Sequence, residues 1–393
     1  MKIERIAEEK GKFDVIVVGG GMAGVSAAVA ASRNGADVLL LEKQVNLGGL
    51  ATGGLISWYE PLCDGEDNQV IFGIAEELIK LSMECCFDSL PEKWGGKSGN
   101  KPKPNGERYS TYFSPTMFSA ALDKFVLASG VKIRFDSLAV QPVMSDNICK
   151  GVVVESVNGS EFFEAKVVID ATGDASIMDR AGVPTVVGEN FMTYISHYYN
   201  IETAEKLLND KDTCAFRKWL NTGSDMLGNG HPAGMRMLTG VSCEDITDYM
   251  IAGKAALLER FSDKDKNSFD VMTIPTMPQY RTIRRIVGKT DFNAVDGETY
   301  EDSIGNCSDF RRTGVGKHYQ IPFGALYNES FPNLIAAGRI ISAPQGDGWE
   351  VSRVIPVCVL TGEAAGKAAA LCVKEEKDFS KINEMDLMKI KIN

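Results

Sequence analysis

Phe13–Lys43 reads FDVIVVGGGMAGVSAAVAASRNGADVLLLEK. Asp14–Val18 is a short apolar run rich in β-branched residues, the pattern of a buried strand. Gly19, Gly21 and Gly24 follow in the order G-x-G-x-x-G. Ala23–Ser32 is rich in small and apolar residues and predicts a helix, and Val38–Leu41 predicts a second strand that Glu42 ends. Each part has a physical task. Gly19 permits a tight turn, Gly21 leaves room for a pyrophosphate against the backbone, and Gly24 lets helix and strand pack closely. The helix N-terminus offers unpaired amides and a partial positive charge to the phosphates. Glu42 stands where an acid accepts the ribose hydroxyls of a dinucleotide. An acid at that place argues against a 2′-phosphate, and so against NADP. The competing reading is a glycine-rich turn in another α/β fold.

Composition narrows the function classes. The chain has 393 residues, 44% hydrophobic and 24% charged, an ordinary globular balance. A net charge of −11 disfavours nucleic acid or an anionic membrane as partner. A small-molecule substrate and a cytoplasmic setting fit best, and a homo-oligomer is compatible. The nine cysteines are scattered and contain no C-x-x-C, so neither a metal site nor a dithiol relay is expected. Adjacent Cys85 and Cys86 read as buried structural thiols. No apolar run looks long enough to span a bilayer, and Met1–Lys12 lacks a signal-peptide core.

Along the chain, helical spacing is expected over Asn68–Met83, and Glu92–Arg108 reads as a long exposed loop. Ser114 is a plausible N-cap before Pro115. Val131–Phe135 reads as a strand, and alternating runs over Ser137–Ala165 read as a β-meander. Lys166–Asp170 is a buried strand feeding ATGDASI. Helical pieces are expected at Thr203–Leu220 and Cys243–Arg260, a last strand at Asn333–Ala337 and a helix at Arg353–Val373, with a surface-bound charged tail. The expected class is α/β: a Rossmann-like domain with a central parallel sheet and β-meander, plus a mixed α+β substrate domain. The expected domains are 1–187 (with the loop at 92–108) and 317–393 for the nucleotide, and 188–316 as substrate or cap domain.

Three separated signals occur in order: DVIVVGGGMAG…LLLEK with GGLATGG, then VVIDATGDASI, then NLIAAGR…SRV…GEAAGKAAA. Together they resemble the FAD-dependent oxidoreductases with the glutathione-reductase-type FAD fold. Segments such as ATGDASIMDRAGVP, RTIRRIVG and YQIPFGAL are most similar to a bacterial FAD-dependent oxidoreductase family. The resemblance runs from Asp14 to about Leu371. It implies non-covalent FAD, with Gly19, Gly21, Gly24, Glu42 and Lys43 on the ADP half. Gly48, Gly49, Ala51 and Thr52 would lie against pyrophosphate and flavin. Ala171, Thr172, Gly173 and Asp174 would close over the dinucleotide, and Gly338 and Arg339 would meet the ribityl chain. Ser352, Arg353 and Val354 would begin a helix aimed at the flavin pyrimidine edge, where a cation stabilises reduced flavin. No second glycine fingerprint suggests a built-in NAD(P)H domain.

Catalytic candidates follow from the need for a proton acceptor or an anion-binding cation beside the flavin. His318 precedes the return to the cofactor domain; its bland alternative is a backbone-satisfied loop histidine. His231 and His197 rank lower, His197 being expected to pair within the substrate domain. Arg284 and Arg285, pointing to opposite strand faces, divide between substrate contact and structural ion pair, with Asp302 as one expected partner. Tyr280 is a substrate contact or a packed aromatic. Arg353 is the leading polar candidate, or else a helix-end arginine paired to a carboxylate. The activity expected is hydride transfer between flavin N5 and a small polar metabolite. A flavin monooxygenase or halogenase is the alternative, although the GDAAH…P segment is missing; a non-catalytic flavin-binding module is the third.

Overall fold

A computed structural model describes residues 6–66, 68–84, 111–211, 216–225, 227–310 and 314–392. The loop expected at 92–108 and the pair Cys85–Cys86 lie outside these residues. The chain runs β1 (Glu8–Val18), α1 (Met22–Arg33), β2 (Val38–Leu41), β3 (Trp58–Tyr59), α2 (Ile74–Glu84), β4 (Thr111–Tyr112) and α3 (Pro115–Ala128). It continues through β5 (Lys132–Arg134), β6 (Leu138–Ser145), β7 (Ile148–Ser156), β8 (Gly159–Asp170), α4 (Ser176–Ala181), β9 (Thr185–Val187) and β10 (Ile195–Asn200). Next come α5 (Ile201–Asp210), β11 (Lys218–Asn221), α6 (Cys243–Phe261), β12 (Phe269–Thr273) and β13 (Arg284–Ile286). Last are β14 (Ser303–Cys307), β15 (Tyr319–Pro322), β16 (Leu334–Ala336), α7 (Asp347–Ser352), α8 (Ile355–Glu375) and α9 (Glu384–Ile390).

The fold is α/β with a parallel-rich central sheet. Its strands run β5-β2-β1-β8-β7-β6, and β16 also pairs with β8. β8 pairs with β1 along one edge and is long enough to serve two partners along the other. Its first half pairs antiparallel with β7, closing the meander, and its last residues pair parallel with β16. β2 and β16 are buried along their length, and β1 and β8 are buried over Val15–Val18 and Val167–Asp170, as a sheet covered on both faces requires. A separate three-stranded sheet, β11-β10-β12, lies between residues 195 and 273.

One face of the central sheet is covered by α1 packed on α8, and glycines set the spacing. A Cβ on Gly362 would lie 2.2 Å from the Ala23 carbonyl oxygen, and one on Gly366 2.2 Å from that of Ala27. Only bare backbone fits there. Gly366→Leu is expected to force the helices apart at a cost of at least about 3 kcal/mol. Thermal unfolding checks this, and an unchanged midpoint would show that the helices have slack.

Several expectations need correction. The helix expected at Asn68–Met83 starts at Ile74, because the Glu363 carboxylate accepts the Ile74 amide at 2.6 Å after Gly73 turns at φ +68°. The helix expected over Thr203–Leu220 stops at Asp210, and Lys218–Asn221 forms a strand against Ile195–Tyr198 instead. The helix expected at Arg353–Val373 begins at Ile355. Pro356 lies in its first turn, and a continuous helix would drive the proline ring into the preceding turn. That helix is in fact long and apolar enough to cross a membrane, but 83% of its apolar window is buried, as befits a core helix. The tail is not merely surface-bound: Phe379, Ile390 and Ile392 join the core, and the Ile392 amide donates to Ile304 O at 2.7 Å.

Candidate functional site

The glycine turn between β1 and α1 is built as a cradle. Gly19 adopts φ +99°, and a Cβ there would meet the Ala171 carbonyl oxygen at 2.6 Å. A Cβ on Gly24 would sit 1.8 Å from the Gly19 oxygen. Gly21 is different: nothing lies within 4 Å of where its Cβ would be. It is the N-cap of α1 and has no side chain to take the first-turn amides, which have no acceptor inside the helix. Open space over unpaired amides fits a pyrophosphate. Gly48 stacks on this turn, its amide donating to Gly20 O at 2.8 Å. Thr52 is buried and donates to Leu47 O at 2.5 Å, fixing the Gly49–Ala51 turn. Glu42 is 7% exposed, and its oxygens accept the amides of Gly20 (2.6 Å) and Gln44 (2.7 Å). Each carboxylate oxygen keeps a further acceptor position for a ribose hydroxyl.

The end of β8 closes the other side. Asp170 is fully buried and accepts from Thr172 N and Oγ1 (3.0 and 2.6 Å), Ile177 N (3.0 Å) and Met178 N (2.9 Å). Burial pushes its carboxyl up to about 6, against the pull of those donors. Burial also opposes the Asp174 carboxylate, but exposed Lys43 and the Ser176 and Thr172 contacts hold it below its ordinary value. Gly173 turns at φ +76° under the Arg339 guanidinium, whose Nε donates to Gly173 O at 2.6 Å and NH1 to Tyr280 O at 2.9 Å. Gly338 turns at φ +81° with Ala23 against it. Residues from four separated stretches thus surround one groove.

The loop leaving this groove is clamped by the 190–280 segment. Leu55, buried, holds φ +59°, a strained conformation for its side chain. Gln279 Nε2 donates to Gly54 O at 2.7 Å and Thr276 N to Gly53 O at 2.9 Å. Ser57 Oγ accepts from Trp219 Nε1 at 3.2 Å and lies 3.5 Å from His197 Nε2. The His197 and Trp219 rings stack at 6.3 Å and 11°. His197 is 0% exposed, and its Nδ1 makes no hydrogen bond of good geometry among the described residues. Burial, then the charge of Arg217, lower its pKa to about 4, so the ring is neutral at physiological pH.

Arginines rim the groove near the last helix. Arg353 caps the end of α7 and pairs with Glu350, Nε to Oε2 at 2.8 Å. Glu60 Oε2 accepts the Ile355 amide at 3.2 Å, at the start of α8. Burial lowers the Arg339 and Arg281 pKa values, and Arg353 adds to both shifts. Burial raises the Cys358 thiol to about 12, which keeps it protonated.

The other sequence candidates stand elsewhere. Tyr280 is packed and buried, and its hydroxyl donates to Asp245 O at 2.7 Å. Arg284 donates to Asp174 O at 3.1 Å and pairs with Asp179 at 3.4 Å. Arg285 pairs with Asp291 at 3.6 Å rather than with Asp302, whose carboxylate accepts the Gly324 amide. His318 Nε2 lies 3.0 Å from Asp64 Oδ2. Burial opposes the Asp64 carboxylate, but His318, Asn68 and backbone amides hold it down at about 2. A cavity of about 310 Å³ lined by Tyr198, Leu220, Arg260 and Phe269 shares none of the groove residues. His197 stacks on Trp219 within the 195–273 sheet, as expected, and only the fold brings Ser57 to it.

A family model described as FAD dependent oxidoreductase matches residues 14–194 and 244–391. The chain belongs to this family. FAD is the cofactor, and the groove residues fit it. This flavoenzyme is 27% identical over 183 residues to digeranylgeranylglycerophospholipid reductase of Methanosarcina acetivorans, 44% of this chain but 41% of that protein. The chain therefore spans about two fifths of the length of that relative. With the reductase of the same name from Methanoculleus marisnigri it is 24% identical over 372 residues, 88% of this chain and 83% of the other. Both relatives are archaeal. A solved geranylgeranyl bacteriochlorophyll reductase-like protein from Thermoplasma acidophilum aligns over 97% of this chain and 82% of its own, with TM-score 0.49 and 14% identity.

Proposed function

We propose that this FAD-dependent oxidoreductase transfers a hydride between flavin N5 and a small polar metabolite, with His197 moving the accompanying proton. Bound FAD supplies the hydride acceptor or donor. Gly19, Gly21, Gly24 and Glu42 would hold its ADP half, Gly48–Thr52 and the Ala171–Asp174 turn its pyrophosphate, and Gly338 and Arg339 its ribityl chain. Arg353 and Val354 would stand at the flavin pyrimidine edge. The observation that carries the reading is the buried, neutral, half-satisfied imidazole beside Ser57 on the loop that leaves the cradle. With Nε2–H donated to Ser57, Nδ1 is a base, and the Leu55 backbone lies within reach of the ring. With Ser57 donating to Nε2, Nδ1 carries the hydrogen and is a hydrogen-bond donor. Trp219 orients Ser57 in either tautomer.

The experiment is an anaerobic absorbance titration of the purified protein with hydroxy acids, polyols and amines. One class is expected to bleach the flavin. His197→Asn is expected to slow that bleaching by about 10²–10⁴-fold at unchanged FAD content. Bleaching at the wild-type rate in the variant would remove His197 from the chemistry. Bleaching by NAD(P)H alone, with oxygen uptake in air, would replace the dehydrogenase reading by a monooxygenase.

A further inference from the structure

Gln279 lies where the two halves of the candidate site meet. It is buried, and its side-chain amide makes three hydrogen bonds to two separate segments. Oε1 accepts the Ile195 amide at 2.7 Å, and Nε2 donates to Ile195 O at 2.9 Å. The side chain thus engages both backbone groups of the first residue of β10, as a neighbouring strand would. Nε2 also donates to Gly54 O at 2.7 Å. Ile195 stands two residues before His197, and Gly54 three residues before Ser57. One primary amide therefore ties the strand that carries the imidazole to the loop that carries its hydroxyl neighbour. On the loop side the tie continues into the glycine cradle through backbone bonds. Gly54 N donates to Gly49 O at 3.1 Å, Ile56 N to Leu50 O at 2.9 Å, and Gly48 N to Gly20 O at 2.8 Å.

Completing a sheet edge explains only part of this arrangement. β12 pairs with β10 over His197–Asn200, with His197 opposite Thr273. Carried on, that register sets Pro275 opposite Ile195, and proline has no N–H to donate. Gln279 supplies the donor missing there. That need does not extend to the second Nε2 hydrogen, which goes to Gly54. Nor does it explain why the next backbone amide, Thr276 N, also turns to the loop and donates to Gly53 O at 2.9 Å. Leu55, between these anchors and Ser57, holds its φ of +59° while buried. Such a conformation persists only where the surroundings fix it, and it clusters at functional sites. The imidazole stands between the two tied parts: its ring stacks on Trp219 of the sheet, and its Nε2 is 3.5 Å from Ser57 Oγ of the loop.

We infer that Gln279 is a positioning residue for the proposed reaction, holding the His197 strand in register with the loop that would lie against FAD. The inference rests on the hydride-transfer reading only in giving His197 a proton to move. Gln279 acts through Ile195 and Gly54 and takes no part in the proton transfer itself. A displacement of β10 from the loop separates His197 from Ser57 and from the groove, and misplacement by about 1 Å is enough to slow a reaction on the order of 100-fold.

The test is NMR spectroscopy of the imidazole protons in the FAD-loaded protein, with the anaerobic bleaching rate as second readout. The chain has three histidines, and the signal that His197→Asn removes is that of His197. Gln279→Met nearly keeps the side-chain volume and deletes all three bonds. Gln279→Asn keeps the amide but sets it back by one carbon–carbon bond, too short to reach both chains; it carries the test if Gln279→Met does not fold. In both, the His197 signal is expected to shift, and bleaching to slow by about 10–100-fold, at unchanged FAD content. His231 is the internal control: its ring is held by Met192 N at 3.0 Å and lies 3.1 Å from Met235 O, so its signal should stay in place. A His197 signal that does not move in either variant overturns the role. Movement of the His231 signal together with that of His197 also overturns it, by showing that the whole segment has loosened. So does wild-type bleaching in a variant whose His197 signal has shifted. If His197→Asn also bleaches at the wild-type rate, the proposed proton transfer falls with it. A shifted His197 signal in a protein whose flavin no candidate metabolite bleaches supports the tie while sinking the hydride-transfer reading.

Discussion

A chain carrying Gly24→Ala is expected to emerge from purification colourless. The added methyl would sit 1.8 Å from the Gly19 carbonyl oxygen and 3.3 Å from Ala171 Cβ. The first contact is with backbone, and Gly19 is itself held by the Leu41 carbonyl, which accepts its amide at 2.8 Å. Neither β1 nor α1 can yield without moving the other, since both belong to the buried core. The cost is several kcal/mol, on the order of a domain's whole margin. Gly21→Ala is the matched control. Its methyl meets nothing within 4 Å, so the fold should survive while the methyl occupies the space expected for the phosphates. Flavin absorbance relative to protein absorbance, read with the thermal midpoint, separates the two. A yellow, normally stable Gly24→Ala protein would mean that the turn is not as closely built as described.

The second large effect concerns acid. His197 titrates at about 4 in the fold, chiefly through burial and then Arg217, against about 6.5 in an unfolded chain. A depressed folded pKa contributes stability that is complete above the unfolded value and is lost as pH falls toward the folded one. From pH about 6.5 down to about 4 the loss is about 3 kcal/mol. His197→Asn keeps a polar side chain and cannot titrate, so the stability difference between wild type and variant should shrink or reverse across that window. Asp170 works in the opposite direction. Its carboxyl is raised to about 6, so its contribution is lost as pH rises through that value, but it is common to both proteins and cancels. Urea unfolding at a series of pH values measures the difference. A wild-type-minus-variant gap that is flat across the window would show that the imidazole is not buried as described.

The fold was legible where local pattern and tertiary role coincide. Val38–Leu41 was bounded correctly from its apolar run, and Ser114 before Pro115 caps α3 as its side chain suggests, accepting the Met117 amide. Misreadings arose where a distant group decides. Nothing local says that Glu363 starts α2 or that Trp219 must extend as a strand to reach Ser57. The site followed the same division. The glycine turn was legible because Gly19, Gly21 and Gly24 carry a spacing between a strand and a helix. The candidates for chemistry were chosen by residue type near a motif, and that rule favoured Arg284, Arg285 and Tyr280, which the fold spends on ion pairs and packing.

The pairing of α1 with α8 has a consequence in time. The helix that carries the FAD fingerprint is complete by Arg33, yet its buried face is covered by Gly362 and Gly366, more than three hundred residues later. A ribosome making this chain therefore exposes the nucleotide-binding helix long before its permanent neighbour exists. The groove is complete only once α8 has left the exit tunnel. Nascent chains shorter than that should depend on chaperones to keep the early strands from pairing elsewhere.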